Sequence, residues 1–514
     1  MSLARQPDLR PGLAEGAQGP AFWYAYGALD KKFAALGEEL RPLLTPVPGP
    51  DGAPCKARVL SLADAGHALV EECPQEVANL CLRAAEGAVA PATAPSAEEL
   101  QLLAAWSEQV ELMLKAPLLL SRGDPMPRRS GVLIILQARA PGSASDTAAV
   151  AGLGEVCPLP QFHKETLAEA QAQLQAVLQA WTRSPPRLPQ ALARLGGGMQ
   201  QWLAQHCPEG DRLLPSVRAG LEMAILHLLG RTSGAPHLGA AAAAALGFSC
   251  SSAIGVNALV AREEDLSESS GGATVVKVKV GKDPAEDARR TNRLAELLQF
   301  HKGPQARLRL DANQAWTVDE AVAFVSGLSD SAVAITEYLE EPVRWTQDAG
   351  SFLGAWEQLA ERTQRRVRLA ADESLTEGAV RPEDLEGCKA PIAALILKPA
   401  LQGLEQTLEL ARWAQRHGAR PVVSSAFESG VALCHFAVLA AAMAAPAWLP
   451  ESGVSACHGL GTFTRLAEDV LHPPFEDLVR SQRGGSWRVC LLECQGALDR
   501  SVDFLVAARA AGRC

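Results

Sequence analysis

A parallel α/β barrel is the fold that this 514-residue sequence predicts, and three observations predict it. Short β-branched runs recur between residues 256 and 429, each bounded by turn residues. Successive runs lie roughly 30 residues apart, the size of one strand-plus-helix unit in a (β/α)8 barrel of about 250 residues. Each run also ends in a polar residue, and the strand C-termini of such a barrel share one mouth.

The run that organises the others is 273–281, ATVVKVKVG, with Gly271 and Gly272 before it and Gly281 closing it. Lys277 and Lys279 are two apart and take one face of the strand, while Val276, Val278 and Val280 take the other. Adjacent ammonium groups disfavour each other, and partial burial adds to this, so both effects push a lysine pKa down toward the range of a general base. An exposed edge strand with solvated lysines is the alternative. VNALVA at 256–261 is the strand expected before it. After it, ARLRLDAN (306–313) delivers Asp311, AITEYLEEP (334–342) Glu340, VRLAADES (367–374) Asp372, AALILKP (393–399) Lys398, and PVVSSAFES (421–429) Ser425. Helical patterns separate them, as at 284–298 and 404–417.

Within these strands, the period of two sorts the side chains. Arg307, Arg309, Asp311 and Asn313 share a face. Arg309 can meet a substrate carboxylate or a ligand carboxylate, Arg307 lies deeper, and Asn313 can hydrogen-bond substrate or a ligand. In LEEP either glutamate can bind metal; Glu340 shares a face with Tyr338 and Glu341 points away. Asp372 is expected to share a face with Ser374, with Glu373 a neighbour of the ligands rather than one of them. Three carboxylates at neighbouring strand ends suit a hard divalent cation such as Mg2+. With lysines beside them, the parts fit removal of a proton alpha to a carboxylate.

The series KVKVG, DANQAW, LEEP, ADES and LKP resembles the muconate-lactonizing subgroup of the enolase superfamily, in which a Lys or His base works with Mg2+. Within it, residues 115–474 are most similar to the o-succinylbenzoate synthase family. The resemblance implies a (β/α)7β TIM-like barrel with an α+β capping domain, one Mg2+ (or Mn2+), and syn dehydration of 2-succinyl-6-hydroxy-2,4-cyclohexadiene-1-carboxylate in menaquinone or phylloquinone biosynthesis. It implies that Lys279 is the acid/base, that Lys398 stands on the opposite face, and that Asp311, Glu340 and Asp372 are the metal ligands; Lys277, Arg309 and Asn313, from their positions on the strands, are the further residues expected to line the substrate. Ser425 resembles the serine that holds the succinyl carboxylate, Gly459 in HGLGT resembles a backbone contact, and His458 is expected to be structural. A small carboxylate substrate and association with other quinone-pathway enzymes are implied too. An N-succinylamino acid racemase or dipeptide epimerase, with both lysines as bases, and a non-catalytic scaffold are the competing readings.

The domains expected are a mostly helical extension (1–113), the cap (114–253), the barrel (254–474) and a C-terminal segment returning to the cap (475–514). The extension carries helical patterns at 25–44, 60–85 and 97–113 and no catalytic motif. The cap opens with two strands around a polar loop, LKAPLLLSRGDPMPRRSGVLIILQA. The loop GLGEVCPLP (152–160) follows, stiffened by Pro158 and Pro160, then helices at 165–182 and 217–229. The long step from Glu340 to Asp372 suggests a surface insertion. A net charge of −10 with no basic block excludes nucleic acid as a partner. Twelve cysteines without a CxxC pair are expected to be reduced thiols. The alanine-rich run 431–450 is expected to be a buried barrel helix and not a membrane span. The first 20 residues lack the apolar core of a secretory signal, so an intracellular soluble protein of plastid or cytoplasm is expected.

Overall fold

The computed structural model describes residues 23–27, 58–62, 99–119, 124–139, 149–196, 198–233, 253–260, 273–376, 378–443, 457–481 and 487–511. The chain divides into two units, Met1–Ser96 and Ala97–Cys514. In the first, strands β1 (Trp23–Gly27) and β2 (Arg58–Leu62) pair in parallel. These strands occupy the starts of the helices expected at 25–44 and 60–85, which corrects that expectation; the remainder of both segments lies outside the described residues.

The second unit opens with an antiparallel sheet of β3 (Glu99–Leu118), β4 (Met126–Arg139), β5 (Val150–Val156) and β6 (Arg187–Pro189), in the order β5-β4-β3-β6. The helix expected at 97–113 is therefore a strand, and a domain boundary at Met113 falls inside it. The physical reason is one-sided burial: Leu100, Leu102, Trp106, Leu112 and Leu114 are all buried at even positions, while Gln101, Leu103, Gln109, Glu111 and Met113 face outward. Alternation of that kind is satisfied by a sheet, whatever the helix propensity of Ala, Leu, Glu and Met. Helices Leu167–Arg183 and Pro215–Ser233 complete the cap. The first begins at a capping box of Thr166 and Glu169.

The barrel strands are β7 (Ala253–Val256), β8 (Ala258–Val260), β9 (Val275–Lys279), β10 (Arg307–Asp311), β11 (Thr336–Glu340), β12 (Leu369–Ala371), β13 (Ile392–Leu397), β14 (Arg420–Val423) and β15 (Cys457–His458). β8 to β14 form one parallel sheet in chain order. β15 closes the ring. Gly459 N–H donates to Val423 O at 2.7 Å on the β14 side, and β15 pairs with β7 on the other. β7 continues through Asn257 into β8. Gly459 is required at this joint, because a Cβ there would sit 2.7 Å from Ser424 Oγ.

Helices alternate with the strands as the unit spacing predicts: Pro284–Lys302, Val318–Gly327, Ala349–Arg362, Leu404–Arg416 and Gly430–Ala442. Ala349–Arg362 occupies the step from Glu340 to Asp372, so that step is a regular unit and not an insertion. It buries Phe352, Trp356 and Leu359, each worth about 1.5–3 kcal/mol. Every residue of Gly430–Ala442 is buried, and among the described residues no helix is long and apolar enough to cross a membrane.

After Pro474, β16 (Val479–Ser481) and β17 (Trp487–Cys490) form a hairpin added to β7, and helix Leu491–Ala510 follows. That helix returns to the cap: His227 Nε2 lies 2.9 Å from Asp499 Oδ1, and Arg231 pairs with Asp503 at 2.9 Å. The described cysteines are free thiols.

Candidate active site

The C-terminal ends of β9 to β13 meet at one mouth, and register puts their side chains side by side. Asp311 is the parallel partner of both Lys279 and Glu340. Lys277 Nζ sits between two carboxylates, 2.9 Å from Asp311 Oδ2 and 2.7 Å from Glu340 Oε1. Lys279 Nζ is 3.3 Å from Asp311 Oδ2 and donates to Asn313 Oδ1. Asn313 in turn donates to Glu373 Oε1 at 2.6 Å. Across the ring, Lys398 Nζ contacts both oxygens of Asp372, at 2.6 and 2.7 Å. β9 and β13 are four strands apart in a ring of eight, so Lys279 and Lys398 stand on opposite sides of the mouth.

The three lysines differ in exposure. The side chain of Lys279 is 63% exposed, against 13% for Lys277 and 7% for Lys398. Burial disfavours the Lys277 ammonium, but the carboxylates of Asp311 and Glu340 overcome this and raise its pKa. The expectation that the lysine pair lowers it is thereby corrected for Lys277: the acids are nearer than the second lysine. Burial opposes the Asp311 carboxylate as well, yet Lys277 and Lys279 hold its pKa below the ordinary range. Glu340 is raised, by burial first and by Asp311 next.

Two acid oxygens here have no hydrogen-bond partner. Glu340 Oε2 and Glu373 Oε2 are both buried without one, which is costly unless a cation takes them. Oxygens of Glu340, Asp372 and Glu373 lie within 4.8 Å of one another. The cluster contains two of the three expected ligands, with Glu373 as its third member; Asp311 is held at its edge by the lysines. Carboxylate oxygens alone at such spacing suit a hard divalent cation.

Glu341 braces this arrangement. Its φ is +43°, in the left-handed region that a residue with Cβ rarely adopts. The turn aims its carboxylate away from Glu340, where it accepts from Asp372 N (2.7 Å), Ser374 N (3.0 Å), Ser374 Oγ (2.5 Å) and Gln314 Nε2 (2.9 Å). Burial pushes its pKa up to about 8. β12 ends at Ala371 and Glu373–Thr376 is a helical turn, so Ser374 serves Glu341 and does not share a strand face with Asp372. Gly281, at φ +111°, ends β9 where a Cβ would lie 2.7 Å from Ala312 O.

Arg309 is committed elsewhere, which corrects its expected substrate contact. It is buried, and donates from Nε to Glu337 Oε2 (2.7 Å), from Nη1 to Asn257 Oδ1 (3.0 Å) and from Nη2 to Cys457 O (2.8 Å). It lies one layer beneath Asp311, where β8, β10 and β15 face one another. Ser425 and Gly459 do come together: Ser425 Oγ is 2.7 Å from Thr462 Oγ1 and donates to Gly459 O at 3.1 Å. His458 accepts from Val423 N, and burial lowers its pKa to about 3, so it is a neutral structural group.

The cap contributes the segment that follows Pro160, whose individual residues the sequence did not single out. Phe162 places its ring 5.2 Å from Lys398 Nζ. His163 accepts from Leu159 N through Nδ1, and its Nε2 lies 3.2 Å from Ala400 O, just beyond Lys398. Arg129 donates to Cys157 O (2.8 Å), Pro158 O (3.2 Å) and Phe427 O (3.2 Å), tying the loop to the exit of β14. Glu155 accepts from Ser429 N, Ser429 Oγ and Ala432 N at the start of Gly430–Ala442. The signal available in the sequence was adjacency: Phe162 and His163 follow directly on PLPQ.

Residues 259–477 match the family model described as Enolase C-terminal domain-like, and 109–196 match MenC, N-terminal domain. The o-succinylbenzoate synthase of Aliivibrio fischeri (strain MJ11) is 31% identical over 290 residues, covering 56% of this chain and 74% of the relative. That of Salmonella dublin is 30% identical over 345 residues, covering 67% and 84%. The chloroplastic protein PHYLLO of Arabidopsis thaliana is 29% identical over 352 residues, 62% of this chain; the chain spans 19% of PHYLLO's length. Among solved structures, a dipeptide epimerase from Methylococcus capsulatus, complexed with Mg and the dipeptide L-Arg-D-Lys, superposes with TM-score 0.55 at 21% identity over 76% of this chain and 97% of that one. A mandelate racemase/muconate lactonizing protein from Herpetosiphon aurantiacus gives 0.55 at 22%, with the same coverage. These two likenesses bear on the fold.

Proposed function

We infer the reaction from one premise: the chain belongs to the o-succinylbenzoate synthase family of the enolase superfamily. It is an enzyme of the carbon–oxygen lyase type. The activity we assign is syn dehydration of 2-succinyl-6-hydroxy-2,4-cyclohexadiene-1-carboxylate to 2-succinylbenzoate, a step of menaquinone or phylloquinone biosynthesis. The observation that carries this reading is the asymmetry of the two opposed lysines: Lys279 is open to a ligand, while Lys398 is buried against Asp372.

Asp311, Glu340 and Asp372 are the residues assigned to Mg2+, with Mn2+ an alternative; the unpartnered Glu340 Oε2 and the cluster with Glu373 support the fit. When bound, the ion supplies positive charge to the substrate carboxylate as the adjacent carbon loses its proton. Lys279 takes that alpha proton and then returns it to the departing hydroxyl on the same face, so one water leaves and the ring becomes aromatic. Lys398, on the other face, contributes fixed positive charge. Asn313 orients Lys279. Ser425 and the backbone of Gly459 are assigned to the succinyl carboxylate, and Phe162 shields the mouth from water.

Assay of the full chain with Mg2+, on the cyclohexadiene substrate and on N-succinyl amino acids, tests the reading. Dehydration that outpaces any racemisation supports it; racemisation without dehydration overturns it, and assigns both lysines as bases. Solvent-deuterium exchange into an analogue that cannot eliminate tests the division of labour: exchange surviving in Lys279→Ala but lost in Lys398→Ala reverses the roles.

A further inference from the structure

We propose that the N-terminal mouth of the barrel, opposite the chemistry, is a binding site for a compact dianionic oxyanion, a phosphate or a small dicarboxylate. Arg307 opens β10, Arg368 directly precedes β12 and Arg420 opens β14, so the ring brings three guanidinium groups to one opening. Between them lies a cavity of about 180 Å3, lined also by Thr336, Glu337 and Ala393. That volume is several times the roughly 30 Å3 that one water takes in the liquid. It is below the roughly 300–1,000 Å3 of pockets for drug-sized molecules, so the occupant is small.

Charge at this mouth is unbalanced. Glu337 is the one carboxylate lining the cavity, and it is already shared: Arg309 Nε donates to it at 2.7 Å, and Arg420 Nη1 lies 3.4 Å from its other oxygen. Arg307 donates to the carbonyls of Pro304 and Ala306, which accept a hydrogen bond without neutralising the charge. Arg368 is exposed, and its guanidinium has no hydrogen bond or ion pair among the described residues. Four arginines around a single glutamate repel one another, in a chain whose net charge is −10. A dianion relieves that repulsion, and planar guanidinium forks match the paired oxygens of phosphate and carboxylate.

The cavity is separate from the catalytic mouth. Tyr338, Ala370 and Ile396 each stand two residues before a mouth residue, and with Ala394 and Val422 they form a buried cluster; Tyr338 walls the inner end of the cavity, and buried Arg309, its register partner, fills the same level.

Calorimetric titration of the full chain at low ionic strength, with inorganic phosphate in one arm and succinate in the other, tests the proposal. A saturable dissociation constant on the order of 1 mM or tighter is expected for at least one probe. The tighter of the two identifies the source of the dianion. Arg368→Gln removes an exposed, unpaired group, so the fold survives; it and Arg307→Gln should each weaken binding by about tenfold. Mg2+ binding should be unchanged in both variants, which reports that the opposite mouth is intact. No saturable binding of either probe overturns the proposal. So does binding undiminished in both variants, because the anion then sits elsewhere.

Discussion

At the C-terminal mouth, β9 to β13 present acids interleaved with lysines, and two buried carboxylate oxygens, of Glu340 and Glu373, are left over. At the N-terminal mouth, β10, β12 and β14 present arginines around one glutamate. The two ends are a few residues apart on the same strands, yet they are built for opposite tasks. The upper mouth concentrates negative charge that a cation can complete, with a single exposed lysine beside it. In the lower mouth the deepest arginine, Arg309, has Nε, Nη1 and Nη2 all occupied, and those bonds cross the ring. Position along a barrel strand therefore separates chemistry from support, even where residue types are equally polar.

Substitutions at the two mouths should separate in the same way. Lys279→Ala should lower turnover by about 100- to 10,000-fold, read from steady-state rates, with Mg2+ affinity and melting temperature near wild type. A large loss of stability would instead make Lys279 a structural member of the acid cluster. Arg309→Ala should do the reverse. It leaves Glu337 and Asn257 facing an empty position, and denaturant unfolding should report a loss of about 3–5 kcal/mol, while the folded fraction still binds Mg2+. Glu340→Gln keeps the shape of the upper mouth and removes its charge; Mg2+ affinity measured by calorimetry should fall by more than about tenfold. Wild-type affinity there would move the assignment to Glu341, against the four bonds that group already accepts.

The smallest effect concerns a buried acid away from both mouths. Glu222 accepts from Leu404 N at the cap–barrel contact, and burial pushes its pKa up to about 7. The folded chain keeps that proton up to about pH 7, whereas the unfolded chain releases it near the ordinary carboxylate value of 4.5. The folded state thus binds more protons between those values, and stability should decline as pH rises across the window. Glu222→Gln should flatten that decline in unfolding curves taken at several pH values. An unchanged slope would mean that other groups set it.

The barrel strands were legible because each places β-branched residues before a polar terminus, and the 30-residue step leaves room for one helix. That Lys279, Asp311 and Glu340 end neighbouring strands followed from that register; the preference for Glu340 over Glu341 came from the LEEP motif and its resemblance. Arg309 was misjudged because the period of two gives a face and no depth: it shares a face with Asp311 but lies a layer below, where Glu337 and Asn257 claim it. β3 was misread because ELQLLAAWSEQVELMLK is rich in helix formers; its alternation shows only once Leu100, Leu102 and Trp106 have a partner sheet to face. Phe162 and Arg129 were invisible as site residues because their roles depend on how the cap docks, which no local pattern encodes. One domain consequence is testable: a chain starting at Ala97 keeps β3 whole, while one starting at Leu114 loses most of its pairing with β4 and all of it with β6.

The joint at β15 has a consequence for how the protein is made. Synthesis at about 5–20 residues per second separates Val423, the end of β14, from Cys457 by about 2–7 s. A sheet of β8 to β14 assembled within that interval would carry two edges, at β8 and β14, that β15 and β7 cover in the finished ring. Open parallel edges invite pairing with a neighbouring chain. The closing piece is only two residues long, so the ring is vulnerable for longest just before its smallest strand arrives. Yield from a cell should therefore depend on holdase chaperones acting on a ribosome-bound intermediate, and much less on the stability of the finished barrel.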